Sequence, residues 1–174
     1  EKLLHVIEEG EDDRVPPTAR DCLLALRDQL EMVKHQILGA DRRILDWHRG
    51  SEVSRRLDDI PGVGPLIATA LVASVPDPHI FKSGRDLSAW IGLVPKQNST
   101  GGKERLGHIS KAGNSFLRTM LVVGALSVIR RAKQVGYTKR PWLTKLLERR
   151  STKIAAVALA NKNARTAWAM MAHG

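Results

Sequence analysis

Between Leu23 and Trp47 the apolar residues Leu23, Leu26, Leu30, Val33, Ile37, Ala40, Ile44 and Trp47 recur in alternating steps of three and four. Nothing else in the chain restricts its fold as tightly. On a helix this spacing gathers the apolar side chains into one a/d seam running over nearly four heptads. Pro16, Pro17 and Thr18 suit a helix start. From there to Arg49 the only breaker is Gly39, which weakens a helix by about 1 kcal/mol relative to alanine. A long helix follows, and its seam can be covered in two ways. It can pack within its own chain, or it can pair with a second protomer as a coiled coil. The coiled coil, and with it a homo-oligomer, is the sharper expectation.

The remaining pattern is helical as well. "EKLLHVIEE" at residues 1–9 reads as a short helix with Leu3 and Ile7 on one face. After Gly50, "SEVSRRLDD" reads as another, followed by "IPGVGPLIATALVASV", where glycine and proline force a tight turn and Pro65 suits the first turn of the next helix. "PDPHIF" is a loop, and "SGRDLSAWIGL" a short helix expected to turn Leu87, Trp90 and Ile91 inward. Residues 95–113 make a loop or a small hairpin. Helices are expected from near Asn114 through "SFLRTMLVVGALSVIRRAK", over "PWLTKLLERR", and over the alanine-rich "TKIAAVALANKNARTAWAMMAHG", with "QVGYTKR" as a break. No segment alternates convincingly as a strand. The expected fold is mainly α: an N-terminal helix and coiled-coil segment over residues 1–50, then a compact helical domain over 51–174. An apolar share of 43% with only 4% aromatic residues requires a core of Leu, Val, Ile and Ala.

Charge narrows the partner. Residues 1–59 hold 10 Lys/Arg against 14 Asp/Glu, whereas residues 60–174 hold 18 against 4, within a net charge of +10. A basic body of this kind suits a polyanion, nucleic acid first and an anionic membrane second; a solvated basic surface is the plainer alternative. The single Cys22 allows no internal disulfide and fits a reducing compartment. No signal peptide is visible and the apolar runs are too short to span a bilayer, so a cytoplasmic protein without membrane attachment is expected. His5, His35, His48, His79 and His108 lack metal-ligand spacing, and neither a Walker loop nor a dinucleotide fingerprint occurs, so no cofactor is expected in this chain itself.

Two stretches carry candidate chemistry. Residues 51–75 fit a helix-hairpin-helix motif, in which Gly62 and Gly64 let a partner's backbone come close and the next helix presents free N–H groups to a phosphate. A plain αα-hairpin is the alternative. In "NSTGGKERLGHISKAGN", residues 98–114, Asn114 can cap the following helix, and Lys111 and Arg118 lie near that helix start. Lys96, Lys103 and Arg105 flank Ser99 and Thr100, a pattern able to neutralise a phosphodiester. A serine nucleophile needs activation by a base or a metal, and His108 is the nearest base. Taken alone, Ser99 reads as a turn residue.

The span "IPGVGPLIATALVASVPDPHIFKSGRDLSAWIGLVPKQNSTGGKERLGHISKAGNSFLRTMLVVGA", with the closing "ALANKNARTAWAMMAHG", resembles the C-terminal transposase domain of the IS-one-ten and IS-eleven-eleven insertion sequences, related to the Piv DNA invertases. The resemblance covers about residues 57–174, and the preceding helix more loosely. It implies a DNA recombinase whose N-terminal RuvC-like domain, carrying a DEDD set of acids, binds divalent metal such as Mg. It further implies a serine in the C-terminal domain that attacks DNA and becomes covalently linked to it, with a structured guide RNA as a further partner. Carried onto this chain, that serine is Ser99, with Thr100 as its neighbouring competitor. The DNA contacts would be Gly62, Gly64, Lys96, Thr100, Lys103, Arg105, Lys111, Asn114 and Arg118. The chain departs from the family in having no DEDD domain. It is therefore expected to be a fragment of a longer transposase, inactive alone. The alternative is a non-catalytic helix-hairpin-helix module of a repair or replication protein, and a third is an interaction protein built on the coiled coil.

Overall fold

The computed structural model describes residues 16–97, 106–135 and 141–174, and these are mainly helical. The expected helix at 1–9 lies outside the described residues. The chain divides into two compact units, Glu1–Ile44 and Leu45–Gly174.

The heptad pattern forms one uninterrupted helix, α1, over Pro17–Gly50. Gly39 does not break it. In the first unit the seam positions Leu26, Leu30, Val33 and Ile37 are all exposed, while Leu23, Ala40 and Ile44 are half-buried. The ion pairs Arg27–Asp28 and, further along, Asp46–Arg49 are solvent-facing and contribute little.

The second unit begins at Leu45, within the last two turns of α1. There His48 is buried, with Nδ1 hydrogen-bonded to Ser54 Oγ at 2.8 Å and Nε2 3.8 Å from an Asp58 carboxylate oxygen. These contacts tie the end of α1 to α2, Glu52–Leu57, which Ser51 caps by accepting from the Ser54 N–H. A glycine-proline turn leads to α3, Pro65–Ser74, with Pro65 in its first turn as expected. A single 3-10 turn at Pro78–Ile80 precedes α4, Gly84–Ile91, capped by Ser83 and closed by Gly92 in the left-handed conformation. Leu87 and Ile91 of α4 face inward as expected, but Trp90 does not: it is half-exposed, its ring 5.6 Å from that of Phe81. The reason is angular, since on a helix Trp90 stands about 100° from Ile91 and the core stripe of so short a helix takes only one of the two.

The segment after α4 forms a two-stranded antiparallel sheet, β1 Pro95–Gln97 and β2 Leu106–Ile109, with Pro95 opposite Ile109 and Gln97 opposite Leu106. Alternation could not reveal strands this short. Three helices complete the unit: α5 Ser115–Val135, α6 Pro141–Arg149 and α7 Thr152–His173.

α7 is the central element, packed against α2, the 3-10 turn, α4, α5 and α6. Its sequence explains why. Ala156, Leu159, Ala160, Asn163, Ala164 and Ala167 share one face and are buried, and short side chains let neighbouring helices approach closely. Around it Leu57, Leu71, Leu87, Leu117, Leu121, Ile129 and Leu143 are almost completely buried. Each such side chain stabilises the fold by about 1.5–3 kcal/mol relative to exposure. As composition required, aliphatic residues and alanine make the core.

Candidate nucleic-acid interface

The β1–β2 hairpin is held at its root by four consecutive backbone carbonyls. Ile91 O accepts from Arg118 Nη1 at 2.8 Å, Gly92 O from the Lys111 N–H at 3.2 Å, Leu93 O from Asn161 Nδ2 at 3.2 Å, and Val94 O from the Ser110 N–H at 2.8 Å. Ile91, Gly92 and Leu93 are buried, where a carbonyl without a partner costs roughly 1–3 kcal/mol. Donors from α5, α7 and the loop behind β2 thus fix the direction in which the hairpin leaves the body. Glycines make the fit possible. A β-carbon on Gly92 would press on the backbone of Ala112, and one on Gly113 on the carbonyl of Trp90; both residues have positive φ.

Apart from Gly62 and Gly64, the anticipated site residues separate into three groups. Lys96 on β1 and Lys111 in the loop after β2 are exposed, and Lys111 holds a left-handed φ of 56°, uncommon for a side chain of its kind. His108 on β2 is also exposed. Asn114 and Arg118 have internal work. Asn114 Oδ1 accepts from the Leu117 N–H at 3.0 Å, capping α5 as expected. Arg118 Nη1 is engaged by two carbonyls, those of Ile91 and Ala112. Ser99, Thr100, Lys103 and Arg105 lie outside the described residues, in the segment that joins the two strands.

Gly62 and Gly64, equivalent by sequence, differ in structure. Gly62 has a φ of +88° and packs on the backbone of Gly124 in α5, so its missing side chain is used within the fold. Gly64 stands at the start of α3 without a side-chain cap, and a β-carbon there would meet nothing within 4 Å. Of the two, Gly64 has the open surroundings that a phosphate approach requires.

Sequence reasoning passed over the polar run "NKNAR" at residues 161–165 of the alanine-rich α7. Three side chains of α7 donate to three different loops: Asn161 to Leu93 O, Asn163 to Pro61 O at 2.9 Å, and Trp168 Nε1 to Pro78 O at 3.0 Å. Asn163 is buried to 4% exposure. Polar residues at core spacing within an otherwise small-residue helix were the available signal. Lys162 and Arg165 stand on the adjoining, exposed face.

Among the described residues no group of three or more His, Cys, Asp or Glu side chains could hold a metal ion. No helix among the described residues is long and apolar enough to cross a membrane.

Comparison with known proteins agrees with the sequence resemblance. The profile of the transposase IS116/IS110/IS902 family matches residues 54–139, a stretch that contains α3, α4, the hairpin and α5. The y4pF/y4sB protein of Sinorhizobium fredii is 46% identical over 165 residues, covering 94% of this chain and 42% of its own length. The transposase for insertion sequence element IS1111A of Coxiella burnetii is 46% identical over 143 residues, covering 78% and 39%. The transposase for insertion sequence element IS1328 of Yersinia enterocolitica is 35% identical over 164 residues, covering 94% and 49%. The chain spans about half the length of these relatives or less, and none of the three is named as a repair or replication protein. On that match and these relatives, the chain belongs to the IS116/IS110/IS902 transposase family.

Proposed function

We propose that this chain is the DNA-binding, strand-joining part of a transposase, in which Ser99 attacks a DNA phosphodiester. The observation that carries the reading is the 46% identity over 143 residues to a protein named as the transposase of an insertion sequence. In the proposed step the Ser99 oxygen bonds to phosphorus, the bond from phosphorus to one deoxyribose oxygen breaks, and that oxygen takes up a proton. Attack by a free deoxyribose hydroxyl on the resulting phosphoserine link reverses the sequence and joins a new pair of ends.

Lys96, Lys103, Arg105 and Lys111 would neutralise the phosphate as charge builds on it. The fixed hairpin root supports this role, because positioning lowers a barrier only when the reacting group is held in place. The open N-terminus of α3 behind Gly64 would take a second backbone phosphate without reading sequence. Serine is a weak nucleophile until a base or a metal activates it. The resemblance assigns that task to the acids and divalent metal of a RuvC-like domain, so the chain alone would bind DNA without cutting it. A guide RNA and pairing of protomers through α1 belong to the same reading; the exposed seam of α1 supports the second.

The test is a covalent protein–DNA adduct formed by the full-length transposase. Loss of the adduct in Ser99→Ala with retention in Thr100→Ala is the expected result. Retention in Ser99→Ala with loss in Thr100→Ala moves the nucleophile by one residue. Retention in both leaves the loop as a phosphate cradle and ends the serine reading.

A further inference from the structure

We propose that a groove between the first turn of α4, the start of α6 and one face of α7 binds a single, unpaired strand of DNA. This rests on the reading of the chain as a DNA-handling protein but concerns a surface built on α4, α6 and α7. α7 presents Asn161, Lys162, Arg165 and Thr166 to the groove, α4 adds Arg85, and α6 adds Trp142. The cavity is about 790 Å³. A groove of that size has room for a nucleotide or two of one strand.

Its chemistry is one-sided. Three cations line it and, among the described residues, no carboxylate does. Trp142 is 44% exposed, and the Lys162 ammonium stands 4.9 Å from its ring centroid. Cations that follow a backbone, combined with an aromatic ring that takes a base, are the means by which proteins hold single strands. Base and ammonium would compete for the same ring face. A bound strand satisfies both, because the base takes the ring and the displaced ammonium takes the adjoining phosphate.

The position favours DNA. Asn161 lines this groove and also holds Leu93 O at the root of the hairpin. A strand lying in the groove therefore runs beside the element that carries Ser99, and the strand that Ser99 would attack is DNA. Gly84 sets the width of the junction: a β-carbon there would stand 2.9 Å from Arg165 O, so only glycine lets α4 lie this close to α7.

The experiment is fluorescence anisotropy with the 174-residue chain and three labelled probes: a fifteen-nucleotide oligodeoxythymidine, the matching oligouridine and a fifteen-base-pair duplex. Trp142→Ala should weaken binding of the DNA strand roughly tenfold, the size of one lost base–aromatic stack, and leave the duplex unaffected. Trp142→Phe should restore most of the loss. Arg85→Gln with Arg165→Gln should lower the slope of log affinity against log salt by about 1.4, at about 0.7 per contacted phosphate of a single strand. Thermal melting of each variant separates loss of the groove from loss of the fold. The inference is overturned if Trp142→Ala and Trp142→Phe bind the DNA strand as the unmodified chain does, or if the duplex weakens equally. It is also overturned if oligouridine binds more tightly and is lost in the same variants, which gives the groove to RNA. Duplex binding that persists while the strand is indifferent to every variant removes the groove alone. Absence of binding to all three probes removes the DNA reading with it.

Discussion

Gly62 and Gly124 meet backbone to backbone. A β-carbon on Gly62 would stand 2.7 Å from the carbonyl oxygen of Gly124 and 2.9 Å from Cγ2 of Val128. A β-carbon on Gly124 would in turn press on the carbonyl of Gly62 and lie 3.1 Å from Cδ1 of Ile67. The turn ahead of α3 thus rests directly on the α5 backbone.

Gly124→Ala should therefore be destabilising although alanine is the better helix former. Overpacking costs about 1–3 kcal/mol, which in a domain of this size lowers the melting temperature by roughly 3–10 °C. Gly64→Ala has open space around it and should melt within a degree or two of the unmodified chain. Circular dichroism melts of the two variants check the contrast, and equal melting temperatures would refute it.

Asn161→Ala should loosen the hairpin without unfolding the body. The buried Leu93 carbonyl loses its donor, at a cost of about 1–3 kcal/mol. Amide hydrogen exchange at Ser110 and Lys111, whose N–H groups complete the root, should accelerate by roughly tenfold or more, while amides in α3 stay protected. Uniform acceleration would mean that Asn161 supports the whole fold and not the root.

The seam of α1 should pair protomers. Leu30→Glu with Ile37→Glu places charge at two exposed seam positions and should convert an oligomer to a monomer in sedimentation analysis. An unmodified chain that already sediments as a monomer argues against the coiled coil.

Duplex DNA binding should weaken linearly on a log–log plot as salt rises, at roughly 0.9 per neutralised phosphate. Lys111→Gln should reduce that slope by about one. Arg118→Gln should instead lower thermal stability, since Arg118 holds two carbonyls at the hairpin root. A flat salt response would mean that the basic surface is only solvated.

The long helix and the aliphatic core were legible because their signals are periodic and local. The seam from Leu23 to Trp47 reads directly as α1, and Pro65, Asn114 and Ser83 sit where helix starts require them. The β1–β2 ladder was legible only as one of two options, a loop or a small hairpin over 95–113, since three and four residues are too few to show alternation. Arg118 read as a DNA contact because its charge is visible in sequence, whereas the carbonyls it serves, on Ile91 and Ala112, are not. Gly62 and Gly64 looked alike for the same reason: Gly124, which distinguishes them, is remote in the chain. The groove of Arg85, Trp142, Lys162 and Arg165 draws on three helices and leaves no continuous motif.

The hydrogen bonds that α7 sends to the segments of Leu93, Pro61 and Pro78 all end on backbone carbonyls, from Asn161, Asn163 and Trp168 in turn. A carbonyl is the one group that every residue type carries. The grip itself reads no side chain at Pro61 or Pro78, whereas Leu93 also buries its side chain in the core, at 1% exposure. At Pro61 and Pro78 the fastening depends on Asn163 and Trp168 of the helix. Substitution at those two prolines leaves both acceptors in place, because the carbonyl belongs to the backbone.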